Sequence, residues 1–268
     1  NTGSGNYWSL TGNTVTDTDF LGTLNYKPIV FKVNAQVTPI VAGTIYPSGS
    51  VALVEGASTI NDKSFAAGYK ASAKQSESTA IGSASIADGY KSIAIGPSTT
   101  TGSEAIAIGT GAVSSGNESI AIGGGSTSSS YRTIAMGAGS NASSSEAMAF
   151  GKGALAKSNE SFAIGSQALA DINSSNSIAL GFGSYVNSSN AIAIGYQAST
   201  SQYEAIVLGS SSASSSAKVG IGTNSPTNKL HVAGKVRIAD GSEGVGKVLT
   251  SDANGVGTWI ASSTQQAY

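Results

Sequence analysis

The chain contains no cysteine and a single histidine, His231. Disulfides are therefore excluded as a source of stability, although an extracellular location is not. Charged residues make up only 11% of the sequence and nearly cancel, leaving a net charge of -1, so there is no basic surface of the kind that binds nucleic acid. No apolar run approaches the length that spans a bilayer, which excludes membrane insertion by a helix, and no signal peptide is visible. The chain opens at Asn1 without a methionine, as a processed or excised segment would. What is present is glycine, 35 residues of it, together with serine and alanine in a strict order.

Residues 119 to 137 carry the same phrase twice, Ser-Ile-Ala-Ile-Gly and then Thr-Ile-Ala-Met-Gly. Anchoring on the closing glycine gives Gly68, Gly82, Gly96, Gly109, Gly123, Gly137, Gly151, Gly165, Gly181, Gly195 and Gly209. The spacing is 14 residues, except for 13 before Gly109 and 16 before Gly181, and "KVGIG" ending at Gly222 reads as a last copy. A 14-residue unit is too short for the helix pairs of helical solenoids, and its apolar phrase has the period of two that marks a strand.

With the glycine as position zero, large apolar residues fill minus one and minus three, from Ile93 and Ile95 to Ile206 and Leu208. Alanine fills minus two, with Val207 as the exception. Alternate side chains face opposite ways, so this strand has one bulky and one small face. After the glycine, plus three and plus five are small, as in Ala154 and Ala156, while plus four varies: Ile86, Thr100, Val113, Asn141, Tyr185, Ala213. Two constrained positions flanking a free one describe a second strand with one face inward, and Ser, Asn and Gly supply the return turn. Each repeat thus predicts two short strands and two turns, and the stacked repeats a two-layered parallel β-roll. The bulky face is expected to fill the roll's own core. The alanine column, Ala94, Ala107, Ala121, Ala135, Ala149, Ala163, Ala179 and Ala193, is then expected to meet other chains around a shared axis, as a homotrimer.

The repeating "SIAIG" unit with its spaced alanines and serines resembles the head repeat of YadA-like trimeric autotransporter adhesins over residues 64 to about 222. The resemblance implies a trimeric, left-handed parallel β-roll in an all-β protein. Similar repeats also resemble those in the tail fibres of phages and phage-tail-like injection machines. The flanks differ in texture, giving three regions: a β-rich segment at 1–60, the roll at 61–222 and a β-rich connector at 223–268. The first, "YWSLTGN" through "KPIVFKVN", with Pro28, Pro39 and Pro47 as punctuation, resembles tail-fibre-type proteins of Bacteroidetes and their phages. The last, "NSPTNKLHVAGKVRIADG" and "GKVLTSDANGVGTW", resembles the stretch that precedes the C-terminal domain of many tail-fibre proteins. The expected role is a structural and receptor-binding segment of a trimeric tail fibre, located on a virion or extracellular injection particle, with other fibre proteins and a cell-surface glycan or protein as partners. The alternative is the head of a bacterial trimeric surface adhesin that binds matrix or host cells.

No catalytic, cofactor or metal site is expected, because no nucleophile, base and orienting residue occur together and His231 has no second histidine to act with. "GSEGVGKV", Gly241 to Val248, matches a phosphate-binding loop up to Lys247, but Val248 replaces the magnesium-binding Ser or Thr. Two columns remain. At the return turn stand Glu104, Glu118, Arg132, Glu146 and Glu160, with Glu77, Lys91 and Glu204. Rungs lie about 4.8 Å apart, so these charges interact and are candidates for fixing register between chains. One residue earlier come Tyr90, Tyr131 and Tyr203, which with Tyr185 and Tyr196 form the candidate receptor surface, since tyrosine favours sugar and protein contact.

Overall fold

The computed structural model describes residues 31–33, 36–38, 49–54, 56–210 and 217–262. Every regular element among them is a strand. The opening "YWSLTGN", the three prolines and Ala213 lie outside the described residues; Phe31–Val33 pairs antiparallel with Gln36–Thr38. The chain forms two compact units, one up to Ala213 and one from Ser214.

The first unit contains the roll. A three-residue strand from each repeat builds a 12-stranded parallel sheet, from Val51–Leu53 to Ile206–Leu208. A two-residue strand from each builds an 11-stranded sheet, from Ser58–Thr59 to Ser199–Thr200. Register is one repeat per rung: Ile106, Ala107 and Ile108 pair with Ile120, Ala121 and Ile122. The roll begins one rung before the first anchor glycine. Val54 occupies the glycine position there at φ 82, so a search anchored on glycine passes over it. The "KVGIG" copy leaves the stack instead, since Val219–Ile221 pairs with Leu230–Val232 in the second unit.

Both corners of a rung are β-turns with φ above zero at the third residue. One runs from the anchor glycine to plus three, closed by Ala112 N donating to Gly109 O (3.1 Å), with Gly111 at φ 70. The other runs from minus seven to minus four, closed by Ser78 N donating to Gln75 O (3.2 Å), with Glu77 at φ 60. The two irregular spacings fall in corners. The missing residue before Gly109 is lost beside Pro97, where Ser98 N donates to Gly96 O (2.7 Å). This moves the outward position from Thr100 to Thr99, which pairs with Val113, while Thr100 points inward and is buried. The two residues added before Gly181 form an extra turn at Ile172 and Asn173, capped by Asp171 accepting from Ile172 N (2.9 Å).

These corners decide which face lies inside. A β-turn holds its ends within about 7 Å, whereas sheets carrying Ile or Leu between them pack about 10 Å apart. Only the small faces fit. Four inward columns, at minus four, minus two, plus three and plus five, are Ala, Ser or Thr almost throughout and are buried, as in Ser119, Ala121, Ser126 and Ser128. The expectation that the bulky face fills the core and the alanines meet neighbours is therefore reversed. Ala94, Ala107, Ala121, Ala135, Ala149, Ala163, Ala179 and Ala193 are all 0% exposed within the single chain, covered by its own second strands.

Buried serine is tolerated because each corner offers a carbonyl. Ser119 Oγ donates to Gly116 O (2.6 Å), Thr133 Oγ1 to Ser130 O (2.7 Å) and Ser126 Oγ to Gly123 O (2.9 Å). Across the core, Ser128 Oγ donates to Thr133 Oγ1 (2.8 Å) and Thr100 Oγ1 to Ser92 Oγ (2.9 Å). Hydroxyls satisfied in this way lose little on burial and add directional bonds to a core with few methyl groups.

In the second unit, Lys247–Ser251 and Gly257–Ala261 form an antiparallel hairpin. Its turn is held by Asp252 Oδ1, which accepts from the backbone N–H of Asn254 and Val256 (2.8 Å each).

Candidate assembly and adhesion surface

Because minus two points inward, minus one and minus three point outward. The 12-stranded sheet therefore presents two columns of large apolar side chains on its outer face, interrupted only in the early rungs by Ala67 and Thr79. Ile81, Ile95, Met136, Leu180 and Ile194 are 37–39% exposed and their column mates are partly exposed. Twelve strands at about 4.8 Å, each about 10 Å long, give a footprint on the order of 600 Å². That is the upper end of what an isolated soluble protein leaves uncovered.

The charged column borders this face, since minus five has the same parity as minus three. Glu146 and Glu160 join Met148, Phe162, Asn176 and Ile178 around a groove of about 420 Å³. Every described residue of the column has positive φ, including Glu104 (57), Glu118 (56), Arg132 (54), Glu146 (59) and Glu160 (53). A non-glycine residue held there is strained by about 1–2 kcal/mol. The opposite corner relaxes that strain with Gly111, Gly125, Gly139, Gly153 and Gly183, whereas among the described residues the charged corner uses glycine only at Gly49, in the first rung. The backbone column is itself laddered, with Glu118 N donating to Ser103 O (2.8 Å) and Glu146 N to Tyr131 O (2.9 Å).

The side chains of the column pair along the stack. Arg132 Nε lies 2.9 Å from Glu118 Oε2. This bond holds the Glu118 carboxyl below the usual range and raises the guanidinium's own value. The Arg132 guanidinium also lies over its neighbour Tyr131, 4.6 Å from the ring centroid, and Lys91 over Tyr90 at 5.1 Å. Desolvation, followed by the hydrogen bond to Glu118, raises the Tyr131 hydroxyl. Glu104, Glu146 and Glu160 are exposed.

The five tyrosines do not form one surface. Tyr90, Tyr131 and Tyr203 share the charged corner and are 41%, 40% and 63% exposed. Tyr203 Oη accepts from Asn190 Nδ2 (3.1 Å). Tyr196 lies at the opposite corner, stacked on Phe182 with centroids 5.6 Å apart. Phe182 was not among the residues singled out; its position one after an anchor glycine, the same as Tyr196, was the available signal. Tyr185 lies on the outer face of the narrow sheet, partly buried, with its hydroxyl 3.2 Å from Asp171 Oδ2. Asp171 also faces Lys157 at 3.6 Å, and its carboxyl is held below the usual range by the Ile172 amide, then Lys157 and Tyr185.

The remaining motifs are internally occupied. In the loop before Lys247, Glu243 Oε2 accepts from Asp240 N and Gly241 N, and Asp240 Oδ1 accepts from Ser242 N. Lys247 Nζ donates to Ser242 O, so the lysine and three backbone donors of the loop already have partners. His231 is half-buried, and its Nδ1 accepts from Thr227 N (3.3 Å).

Compared with known proteins, the chain matches the YadA head domain repeat model at residues 60–85, 73–99, 101–126, 128–154, 142–168, 156–184 and 187–212, together more than half of its length. Among solved structures it is similar to the collagen-binding domain of the Yersinia adhesin YadA, with 25% identity and a TM-score of 0.45, covering 60% of this chain and 82% of that one. No curated protein sequence matches it.

Proposed function

Because the chain belongs to the YadA head-domain repeat family, we propose that it is the head of a surface-displayed bacterial adhesin and acts as a homotrimer. The observation that carries this reading is the outward apolar face of the 12-stranded sheet, continuous from Ile93 to Leu208. Three rolls turning this face toward a common axis bury it together. The assembly interface is thus the bulky column rather than the alanine column. The charged corner at its border sets the vertical register, each αL carboxylate reaching a donor on the neighbouring chain. What remains outward is the narrow sheet and the aromatic corners, where Tyr90, Tyr131, Tyr185, Tyr196 and Tyr203 offer contact to a glycan or protein on the target surface. The role is adhesion by a stiff scaffold, not catalysis.

The test is sedimentation of the full-length chain followed by binding to immobilised matrix proteins, fibrillar collagen among them, and to animal and bacterial cells. The expected result is a particle of three chain masses that binds matrix or animal cells, and that loses binding but not mass when Tyr131 and Tyr203 become alanine. A monomeric mass overturns the assembly reading. The segments at 1–60 and 223–268, with their likeness to tail-fibre proteins, favour a second reading as a fibre segment; strain-restricted binding to bacteria with none to matrix would select it.

A further inference from the structure

The second unit has strands but no interior. None of the residues from 217 to 262 is buried, whereas every inward column of the roll is covered. Its sheets are two separate two-stranded pairs, and such pairs are marginal in water on their own. The hairpin is apolar on both faces: Val248 stands opposite Ile260, and on the other side Leu249 stands opposite Trp259. Val248, Leu249 and Ile260 are 41–49% exposed, and Leu230 and Val236 more than 60%. Trp259 uses its indole N–H on Ile238 O (3.1 Å), which orders a ring that remains partly exposed.

A unit this small needs a staple: disulfides, a metal or association. The chain has no cysteine, and among the described residues no three His, Cys, Asp or Glu side chains group as metal ligands would. Association is left. The unit carries five basic and three acidic side chains, a near balance that neither repels a second copy nor marks a polyanion or membrane partner. A hairpin apolar on both faces also needs cover from two directions, which one neighbouring surface does not supply.

We infer that residues 217–262 form an interchain clasp, in which the same segment of three chains supplies one shared apolar core. This rests on the trimer proposed above and gives it a second, independent point of closure. Tethering to the roll supplies a high local concentration of the segment, so that weak pairs associate. The roll then sets the register and the clasp resists peeling from the C-terminal end.

Hydrogen exchange of the full-length protein tests this, with sedimentation on the same sample and roll peptides as the standard. In a clasp, amides of 247–251 and 257–261 exchange on the order of a hundredfold or more slower than coil. The absence of native cysteine gives a second readout: V248C, L249C and I260C, each oxidised in the full chain, are expected to give interchain disulfides, with I122C reporting the roll interface. Coil-rate exchange at 217–262 in a particle of trimer mass overturns the clasp and leaves the trimer standing. Protection without interchain disulfides at any of the three positions assigns the cover to the same chain and also overturns it. A monomeric mass removes both readings.

Discussion

Gly137→Ala and Gly139→Ala each add one methyl to the same corner, yet the structure sets very different penalties. Gly137 has φ 131, and a Cβ built on it falls 2.5 Å from Gly151 O and 2.6 Å from Gly151 C. Both are backbone atoms of the next rung, with no side chain to swing aside. The backbone conformation alone costs about 1–3 kcal/mol. Relieving the clash means parting two rungs and weakening ladder bonds such as Gly151 N to Met136 O (2.8 Å), worth about 1 kcal/mol each. The total is about 2–5 kcal/mol. Gly139 has φ 66 and nothing within 4 Å of a Cβ. Its substitution costs about 1–2 kcal/mol in backbone strain, offset by about 0.4–1 kcal/mol from a less flexible unfolded chain. Other rungs already accept Lys70, Ala84, Gln167 and Gln197 at this position, with φ between 50 and 58. At about 2–4 °C per kcal/mol for a domain of this size, Gly137→Ala lowers the melting temperature by roughly 4–20 °C and Gly139→Ala by at most about 6 °C. Circular dichroism melts of the full-length protein measure both. Equal shifts, or a silent Gly137→Ala, would refute the close rung contact on which the estimate depends.

Ala121→Leu forces extra carbons between sheets set at turn distance and is expected to destabilise by about 1–3 kcal/mol or more, read as a lower urea midpoint. A wild-type midpoint would mean that the alanine face is not the core after all. If the αL carboxylates bridge chains as proposed, replacing Glu118 and Glu146 with Gln together lowers the melting temperature of the assembled particle; an unchanged value would return the column to a solvated edge. Asp171, whose folded-state value is depressed by the Ile172 amide and then by Lys157 and Tyr185, contributes stability above the ordinary carboxylate range that is lost as pH falls through its folded value. Asp171→Asn is therefore expected to flatten the acid limb of the stability curve while lowering its neutral plateau, and parallel wild-type and variant curves would count against it.

The period of 14 by itself fixed the rung, the two strands and both turns, because stacked parallel strands must repeat chemistry at equal intervals. The inward face of the second strand was also legible: Ala154 and Ala156 flank a variable Leu155, and all three sit as that pattern requires. Two details were hidden by the glycine anchor, the first rung at Val54 and the slip from Thr100 to Thr99, since a one-residue loss in a corner shifts parity without altering the apolar phrase. The charged column was visible in the sequence, but its uniform left-handed backbone was not, because Glu and Arg carry no signal for positive φ.

Sequence alone determined that each first strand has a bulky and a small face and that the difference runs the length of the roll. It could not assign the faces, because alternation along a strand is symmetric with respect to inside and outside. Only the tertiary structure decided that, through the corners: β-turns hold the two sheets too close for isoleucine, so alanine and serine fill the roll and the isoleucines are turned outward.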